Sequence, residues 1–207
     1  MDLPGPAYRI VTQRLVIRCW APTDAPLLKT AIDTNLEHLR PWMIWAKQEP
    51  TSLEQKIKFL RACRGDFDLG RDFDYAVFNL DESRVLGGSG LHTRLGREAR
   101  EIGYWIDKDH LNQGLATEVA GALTRIAFEV DKVHRVEIHC DPRNLRSAAV
   151  PRKLGFQHEA TLQGRDLDTE GQPRSTMIWT LFASDYPSTP SASLELQAFD
   201  VIFRRLL

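Results

Sequence analysis

Residues 101–156 constrain this chain more than any other stretch. They read as strand, loop, helix, strand, loop, helix: EIGYWI, then DKDHLNQGLATE opening a helix to about Phe128, then HRVEIHCD, then PRNLRSAAVPRKLGF. Each loop opens onto a helix N-terminus, and both lie at the ends of neighbouring strands. Unpaired N–H groups and the positive end of the helix dipole make such a terminus a seat for phosphate. Asn112, Gln113, Gly114, Leu115, Ala116 and Thr117 form the first seat. Gly114 and Ala116 are small enough for a pyrophosphate to approach the backbone closely. Asn144 and Ser147 place an amide and a hydroxyl at the start of the second helix.

In this order and spacing the segments resemble the GNAT superfamily of acetyl-CoA-dependent N-acetyltransferases, and within it the RimJ/RimL-like branch. The resemblance is carried by Glu101-Ile-Gly-Tyr-Trp105, Gly114-Leu-Ala-Thr-Glu118, His134-Arg-Val-Glu137, Asp141-Pro-Arg-Asn144, Ser147-Ala-Ala-Val150 and Lys153-Leu-Gly-Phe156. Weaker similarity reaches back to Arg14-Leu-Val-Ile-Arg18 and forward to Trp179-Thr-Leu181, so that roughly residues 9–186 are covered. One departure stands out. The superfamily's pyrophosphate loop usually reads Gln or Arg, two variable residues, Gly, one residue, then Gly or Ala. Here Leu111 takes the Gln/Arg position and Asn112 that of a frequent second glycine. Backbone donors survive both changes, and Asn tolerates left-handed backbone better than most residues. Weakened but retained cofactor binding is the expectation.

Composition excludes several classes. The 207 residues suit one domain with an extension, long enough to bury a core. Lys+Arg 27 against Asp+Glu 28 gives no bulk charge for nucleic-acid binding. No apolar run spans a bilayer, and MDLPGPAYRI lacks signal-peptide character. Cys19, Cys63 and Cys140 are odd in number and without metal-ligand spacing, which fits three small core residues and a cytoplasmic location.

Along the chain, residues 1–8 read as loose. Residues 14–20 alternate, with Leu15, Ile17 and Cys19 on one face of a strand. Thr23 or Asp24 caps a short helix, and another helical turn follows at residues 36–39. Trp42 and Trp45 flank Met43 and Ile44 after a proline. They read either as core plugs or as an aromatic wall receiving the substrate; a similar segment in the resembled branch lies on the acceptor side. Thr51-Ser-Leu-Glu54 is a capping box for a helix to about Leu69, with Leu53, Ile57, Leu60 and Cys63 on its apolar stripe. Residues 74–80 and 85–95 are strands. Gly87, Gly88 and Gly90 in the second mark bulges or the close approach of another group. Residues 157–163 and 175–182 form a closing strand pair joined by a polar link. Three units result: an acetyltransferase domain over residues 1–186, a linker over 187–193, and an amphipathic helix over 194–207. Leu196, Phe199, Ile202, Phe203 and Leu206 stripe that helix, which folds back or docks on a second subunit as a homodimer.

The resemblance implies an α/β (α+β) fold: a mixed central sheet, mostly antiparallel with one splayed parallel pair, and helices on both faces. It implies that acetyl-CoA lies between the splayed strands and that a free amine attacks the thioester directly. The physics sets three needs. The amine must be neutral, which is mild for an α-amine (pKa ~7.7–8.0) and demanding for lysine (~10.4). The oxyanion needs a donor, and the thiolate needs a proton. A bulge at Gly103 would turn the N–H of Trp105 or Ile106 toward the thioester. Glu101, on the same face, would be general base or a structural carboxylate. Ser147 would serve the thiolate, as a serine at this place does in the resembled branch, and Asn144 would hold the pantetheine arm, cap its helix, or both. Glu118 suits a helix N-terminus in any case. His92, His110, His134, His139 and His158 lie on separate elements and show no metal spacing. No serine sits in a G-x-S-x-G elbow.

The expected activity is acetyl transfer from acetyl-CoA to a primary amine, chiefly the N-terminal α-amine of a protein or peptide. Acetylation of a small amine or toxic peptide-like compound is the alternative. A non-catalytic acyl-CoA-binding or interaction module is the rival from another class, motivated by Leu111, Asn112 and the terminal segment. A dinucleotide oxidoreductase is disfavoured by the absence of G-x-G-x-x-G.

Overall fold

The computed structural model describes residues 6–168 and 170–207. Its elements run β1 (Arg9–Val11), β2 (Val16–Cys19), α1 (Ala25–Leu39), α2 (Leu53–Asp68), β3 (Phe73–Phe78), β4 (Val85–His92) and β5 (Ala99–Ile106). There follow α3 (Leu115–Glu129), β6 (Arg135–Cys140), α4 (Leu145–Lys153), β7 (Gln157–Leu167), β8 (Pro173–Phe182) and β9 (Gln197–Phe199). The strands form one sheet in the order β7-β8-β6-β5-β4-β3-β2-β1-β9.

Every neighbouring pair is antiparallel except β5 and β6. That parallel pairing is short: Ala99–Glu101 against Arg135–Glu137. Beyond it β5 stays with β4 as far as Gly87↔Ile106, and β6 stays with β8 as far as Cys140↔Met177. Each strand satisfies its outer ladder, so the inner edges part and a gap opens mid-sheet. The mixed sheet with one splayed parallel pair is the expected fold.

The alternation in residues 14–20 sorts the two faces. Leu15, Ile17 and Cys19 join the core under α3 and α4, while Val16 joins Ala76, Phe78 and Val85 under α1. The short helix and later turn expected after Pro22 are one 15-residue helix. The capping box is displaced by one residue. Ser52 Oγ accepts from the Gln55 N–H at 3.2 Å, and Gln55 Oε1 accepts from the Ser52 N–H at 2.9 Å. On α2, Leu53 and Ile57 are exposed, whereas Lys56 is buried with Leu60, Cys63 and Phe67. Lys56 can be there because its ammonium pairs with Glu49. The glycines of β4 accommodate side chains lying flat on the sheet. A Cβ at Gly88 would sit 2.6 Å from Trp105 Nε1, and one at Gly90 2.2 Å from His92 Nε2. β7 and β8 extend into the polar link expected between them, part of which (residue 169) lies outside the described residues, as do residues 1–5 of the loose N-terminus.

The C-terminal segment differs from its expectation. Residues 187–193 are not an extended linker; they make 3₁₀ turns against α3, where Ser191 and Leu194 lie beside Gly121 and Arg125 Nη1 donates to the Leu194 carbonyl at 2.6 Å. Residues 194–207 do not form a helix. Gln197–Phe199 adds β9 to the free edge of β1, and Leu206 N–H returns to the Ala198 carbonyl at 2.8 Å. Two causes combine. The β1 edge offers unpaired ladder groups, and Asp200 turns the chain by accepting from the Ile202 and Arg204 N–H groups at 3.0 and 2.8 Å. The stripe is thereby broken: Ala198 is buried, whereas Ile202 and Phe203 project from the turn. A homodimer built on a terminal helix has no such helix to use.

Candidate active site

The gap between β5 and β6 continues into a cleft of ≈ 640 Å³ bounded by α3, α4 and the α1–α2 connection. A second cavity, ≈ 450 Å³, lies on its far side toward the β7–β8 pair. Trp42, Met43, Tyr104, Asn144 and Ser147 line both, so the two meet there. A third hollow of ≈ 710 Å³ joins through Met43, Gly103 and Tyr104.

The loop expected to seat a phosphate presents backbone to the cleft. Asn112 and Gly114 both adopt left-handed conformations, with φ of 59° and 80°. Gly114 occupies the N-cap of α3, leaving that helix's first N–H groups without a side-chain cap. Asn112, Gly114, Leu115, Ala116 and Thr117 line the cleft. Gln113 does not: its amide donates to the Asp109 carbonyl at 3.2 Å and its own carbonyl accepts from Arg14 at 2.8 Å. Its side chain braces the loop instead of facing a ligand. Glu118 likewise braces, accepting from Thr12 Oγ1 at 2.6 Å and Arg14 Nε at 2.7 Å. Leu111 faces the cleft as an apolar residue, and cations stand across from it: Arg143, Arg146 and Lys153 line the α4 wall. Arg143 precedes the Asn144 cap and pairs with Asp141. Sequence reading missed Arg146 and Lys153, although their spacing of seven residues was visible and puts both on one side of α4.

Asp107 anchors the loop from beneath. Its buried carboxylate accepts from Asn35 Nδ2 at 3.1 Å, the Asp109 N–H at 2.9 Å and His110 Nδ1 at 3.1 Å, while Asn35 Oδ1 takes the Lys108 N–H at 2.7 Å. Burial pushes this carboxyl up, but the hydrogen bonds from His110 and Asn35 prevail and hold it below its ordinary value. Its stabilising share is therefore complete above ~3.9 and lost as pH falls through the lower folded value. Asp107→Ala orphans buried donors and should cost about 3 kcal/mol in chemical denaturation. An unchanged midpoint would remove the anchor role.

At the second helix Asn144 is the N-cap, its Oδ1 accepting from the Ser147 N–H at 3.1 Å. Ser147 Oγ lies 3.3 Å from the Tyr104 hydroxyl, which donates to the Ser147 carbonyl at 3.1 Å. Burial pushes the Tyr104 hydroxyl strongly upward, keeping it protonated. Tyr104 is thus a functional candidate that sequence reading named only as part of a strand. Its signal was its place two residues after Ile102, on the α3 side of β5.

The bulge expected at Gly103 is absent, since β4 and β5 pair without a register shift. The Asp107 N–H donates to the Leu86 carbonyl at 2.8 Å. By ladder alternation, Trp105 then turns its backbone toward β4, while Tyr104 and Ile106 turn theirs to the gap. Of the two residues expected to offer an N–H, Ile106 turns it to the gap and Trp105 turns it to β4, although both residues line the cleft. The Trp105 side chain lies on the other face, near Trp45 with ring centroids 6.4 Å apart. The expected aromatic wall divides accordingly. Trp42 stands where the first two cavities meet, Trp45 lines the third, and neither is a core plug.

Glu101 faces the second cavity but is engaged: Arg94 Nε donates to its Oε2 at 2.7 Å, and His139 Nδ1 lies 3.6 Å away. Burial pushes its carboxyl up, yet the Arg94 hydrogen bond and the charges of His139 and Arg94 hold it below its ordinary value. Asp141, Asp166, Arg174 and Thr176 complete the polar lining there. Cys19, Cys63 and Cys140 are free and buried. Among the described residues no helix is long and apolar enough to cross a membrane, and no group of three or more His, Cys, Asp or Glu could hold a metal ion.

Comparison with known proteins agrees with this geometry. The model of the acetyltransferase (GNAT) domain matches residues 14–157. Bacillus subtilis YdaF, named as a ribosomal N-acetyltransferase, is 28% identical over 179 residues, covering 85% of this chain and 95% of its own. The Escherichia coli [ribosomal protein uS5]-alanine N-acetyltransferase is 25% identical over 186 residues, 87% of this chain and 94% of its own. Mycobacterium smegmatis RimJ, solved in complex with CoA-disulfide, shares the fold with a TM-score of 0.76 at 20% identity, over 91% of this chain and 92% of its own. The family model covers well over half of the chain, and the cleft lies where its splayed strands lie: the protein belongs to the GNAT family of acetyltransferases and is an N-acetyltransferase.

Proposed function

We propose that the protein transfers the acetyl group of acetyl-CoA to the N-terminal α-amine of a protein or peptide. One observation carries this reading: a cleft with a phosphate seat at one end joins an open, carboxylate-lined cavity, and the junction is Tyr104 and Ser147. The pyrophosphate would rest on the N–H groups of residues 112–117 and the start of α3, with Arg146 and Lys153 supplying charge that Leu111 cannot. Pantetheine would run along the free backbone edge of β5 at Tyr104 and Ile106, beside Asn144. The thioester then lies at the junction, its oxygen near the Ile106 N–H and its sulfur near Ser147 Oγ. Glu101, Asp141 and Asp166 line the far cavity beside Arg94 and Arg174, so an incoming ammonium group would meet carboxylate oxygens there. Two relatives are named for acetylating ribosomal proteins, which supports a protein terminus as acceptor. Buried free thiols support a cytoplasmic setting.

Calorimetric titration with acetyl-CoA, followed by turnover on peptides beginning with Ser, Ala or Met and on a panel of small amines, tests the proposal. Micromolar binding with peptide acetylation is the expected result. Turnover of small amines alone would replace the acceptor assignment, and binding without any turnover would favour an acyl-CoA-binding module. Trp42→Ala should raise the acceptor KM about tenfold, and more than the acetyl-CoA KM, through loss of aromatic contact. A rise confined to the acetyl-CoA KM would place Trp42 on the donor side only.

A further inference from the structure

A histidine passed over in the sequence lines the third hollow, which shares Met43, Arg94, Gly103 and Tyr104 with the second cavity. His92 ends β4 and stands opposite Glu101 across the ladder. Its Nδ1 is 2.8 Å from Asp72 Oδ2, and Asp72 Oδ1 accepts the Thr93 N–H at 3.1 Å. The aspartate fixes the tautomer: Nδ1 carries the proton and Nε2 keeps its lone pair. Nε2 has no hydrogen-bond partner among the described residues. It lies over a hollow made by two facing glycines, where a Cβ at Gly90 would be 2.2 Å away and one at Gly103 3.5 Å. The imidazole therefore reaches the centre of β5, beside the residue preceding Tyr104, and lines the third hollow that opens into the acceptor cavity.

We propose that His92, oriented by Asp72, is the general base of the reaction and accepts a proton from the acceptor's ammonium group, directly or across one water. The proposal rests on the amine-acetylation reading above. In the step, R–NH₃⁺ gives one proton to Nε2. The freed nitrogen lone pair bonds to the thioester carbon, and the C–S bond breaks as the tetrahedral intermediate collapses. The second proton on nitrogen passes to the departing sulfur by way of the Ser147 hydroxyl, giving the amide and CoA thiol, and the imidazolium returns its proton to solvent.

The rival base, Glu101, fits less well. Its carboxylate is committed to Arg94 and held below the ordinary carboxylate value, far from neutral pH. Around His92 burial pushes the imidazole down, whereas the Asp72 hydrogen bond and the charges of Asp72 and Asp74 push it up; the upward causes prevail. Arg94 opposes them and Glu101 lies opposite on β5. Lys56 and Glu49, which also line the hollow, neutralise each other.

The test is the pH dependence of kcat/KM in the full-length protein, using whichever acceptor the wild type acetylates fastest. Wild type should rise along an acid limb that lies above the ordinary histidine value of ~6.5 and then level off. His92→Gln should lose that early rise and climb with the amine's own deprotonation. On an α-amine of pKa ~7.7–8.0 the loss is about tenfold at pH 7 and closes above pH 8. Asp72→Asn should move the wild-type acid limb to lower pH, because it removes the group that raises His92. Imidazole in the buffer should restore part of the rate of His92→Ala, and acetyl-CoA affinity should be unchanged in all three. A His92→Gln profile parallel to wild type, or loss that persists at pH 9, would overturn the assignment. Transfer of its neutral-pH limb to Glu101→Gln would give the role to Glu101. Turnover restricted to small amines would sink the α-amine acceptor and leave this test intact.

Discussion

Gly114→Val raises the acetyl-CoA Kd at least about a hundredfold. The cause is conformational and not spatial: the nearest atom to a Cβ there is Arg14 Nη2, at an ordinary 3.6 Å. At φ 80° a β-branched residue is strained by roughly 1–3 kcal/mol, and the loop escapes by rotating its peptide planes. Those planes carry the N–H groups that would face the pyrophosphate. Losing two charge-assisted hydrogen bonds removes about 3 kcal/mol or more, and each 1.4 kcal/mol is roughly tenfold in Kd. Gly114→Asn separates the two effects, because Asn tolerates the left-handed region; it should bind within about tenfold of wild type. Titration calorimetry beside a thermal melt reads both. Wild-type affinity in a folded valine variant would mean that the start of α3 is not the phosphate seat.

Ser147→Ala lowers kcat about a hundredfold while the acetyl-CoA Kd stays within about threefold. The Asn144 cap uses the backbone N–H of residue 147, so the helix start survives the change. What disappears is the hydroxyl 3.3 Å from Tyr104, the group best placed to give the departing sulfur its proton. Positioned proton transfer is worth about 10²–10⁴-fold. Tyr104→Phe should produce a smaller loss, since it only unfastens Ser147. A single-turnover measurement with saturating donor isolates the step. An unchanged rate would remove Ser147 from the chemistry and leave it a helix-start residue.

Several features were legible because they are local. Loop glycines and small residues before a helix announced the uncapped start of α3, and Asn112 proved to be left-handed as its side chain allows. The alternation of residues 15–19 predicted which face each would take. The capping box missed by one residue, because Ser52 and Gln55 are as competent as Thr51 and Glu54 and only chain geometry chooses. The failure at residues 194–207 is of another kind. A helical stripe was present, but the vacant edge of β1 and the Asp200 turn offered better-satisfied backbone.

The sequence by itself determined the strand–loop–helix repeat, the conformations its loops require and the family to which they belong. These depend on residues within one or two turns of each other. Only the tertiary structure decided which candidates are free to act. Glu101 is tied down by Arg94, Gln113 is turned to its own loop, and Trp42 and Trp45 face different cavities. It also brought together His92 and Asp72, 20 residues apart, over a hollow left by Gly90 and Gly103 on neighbouring strands. Availability of a side chain is set by partners that the sheet register delivers from distant parts of the chain, and no local pattern records that register.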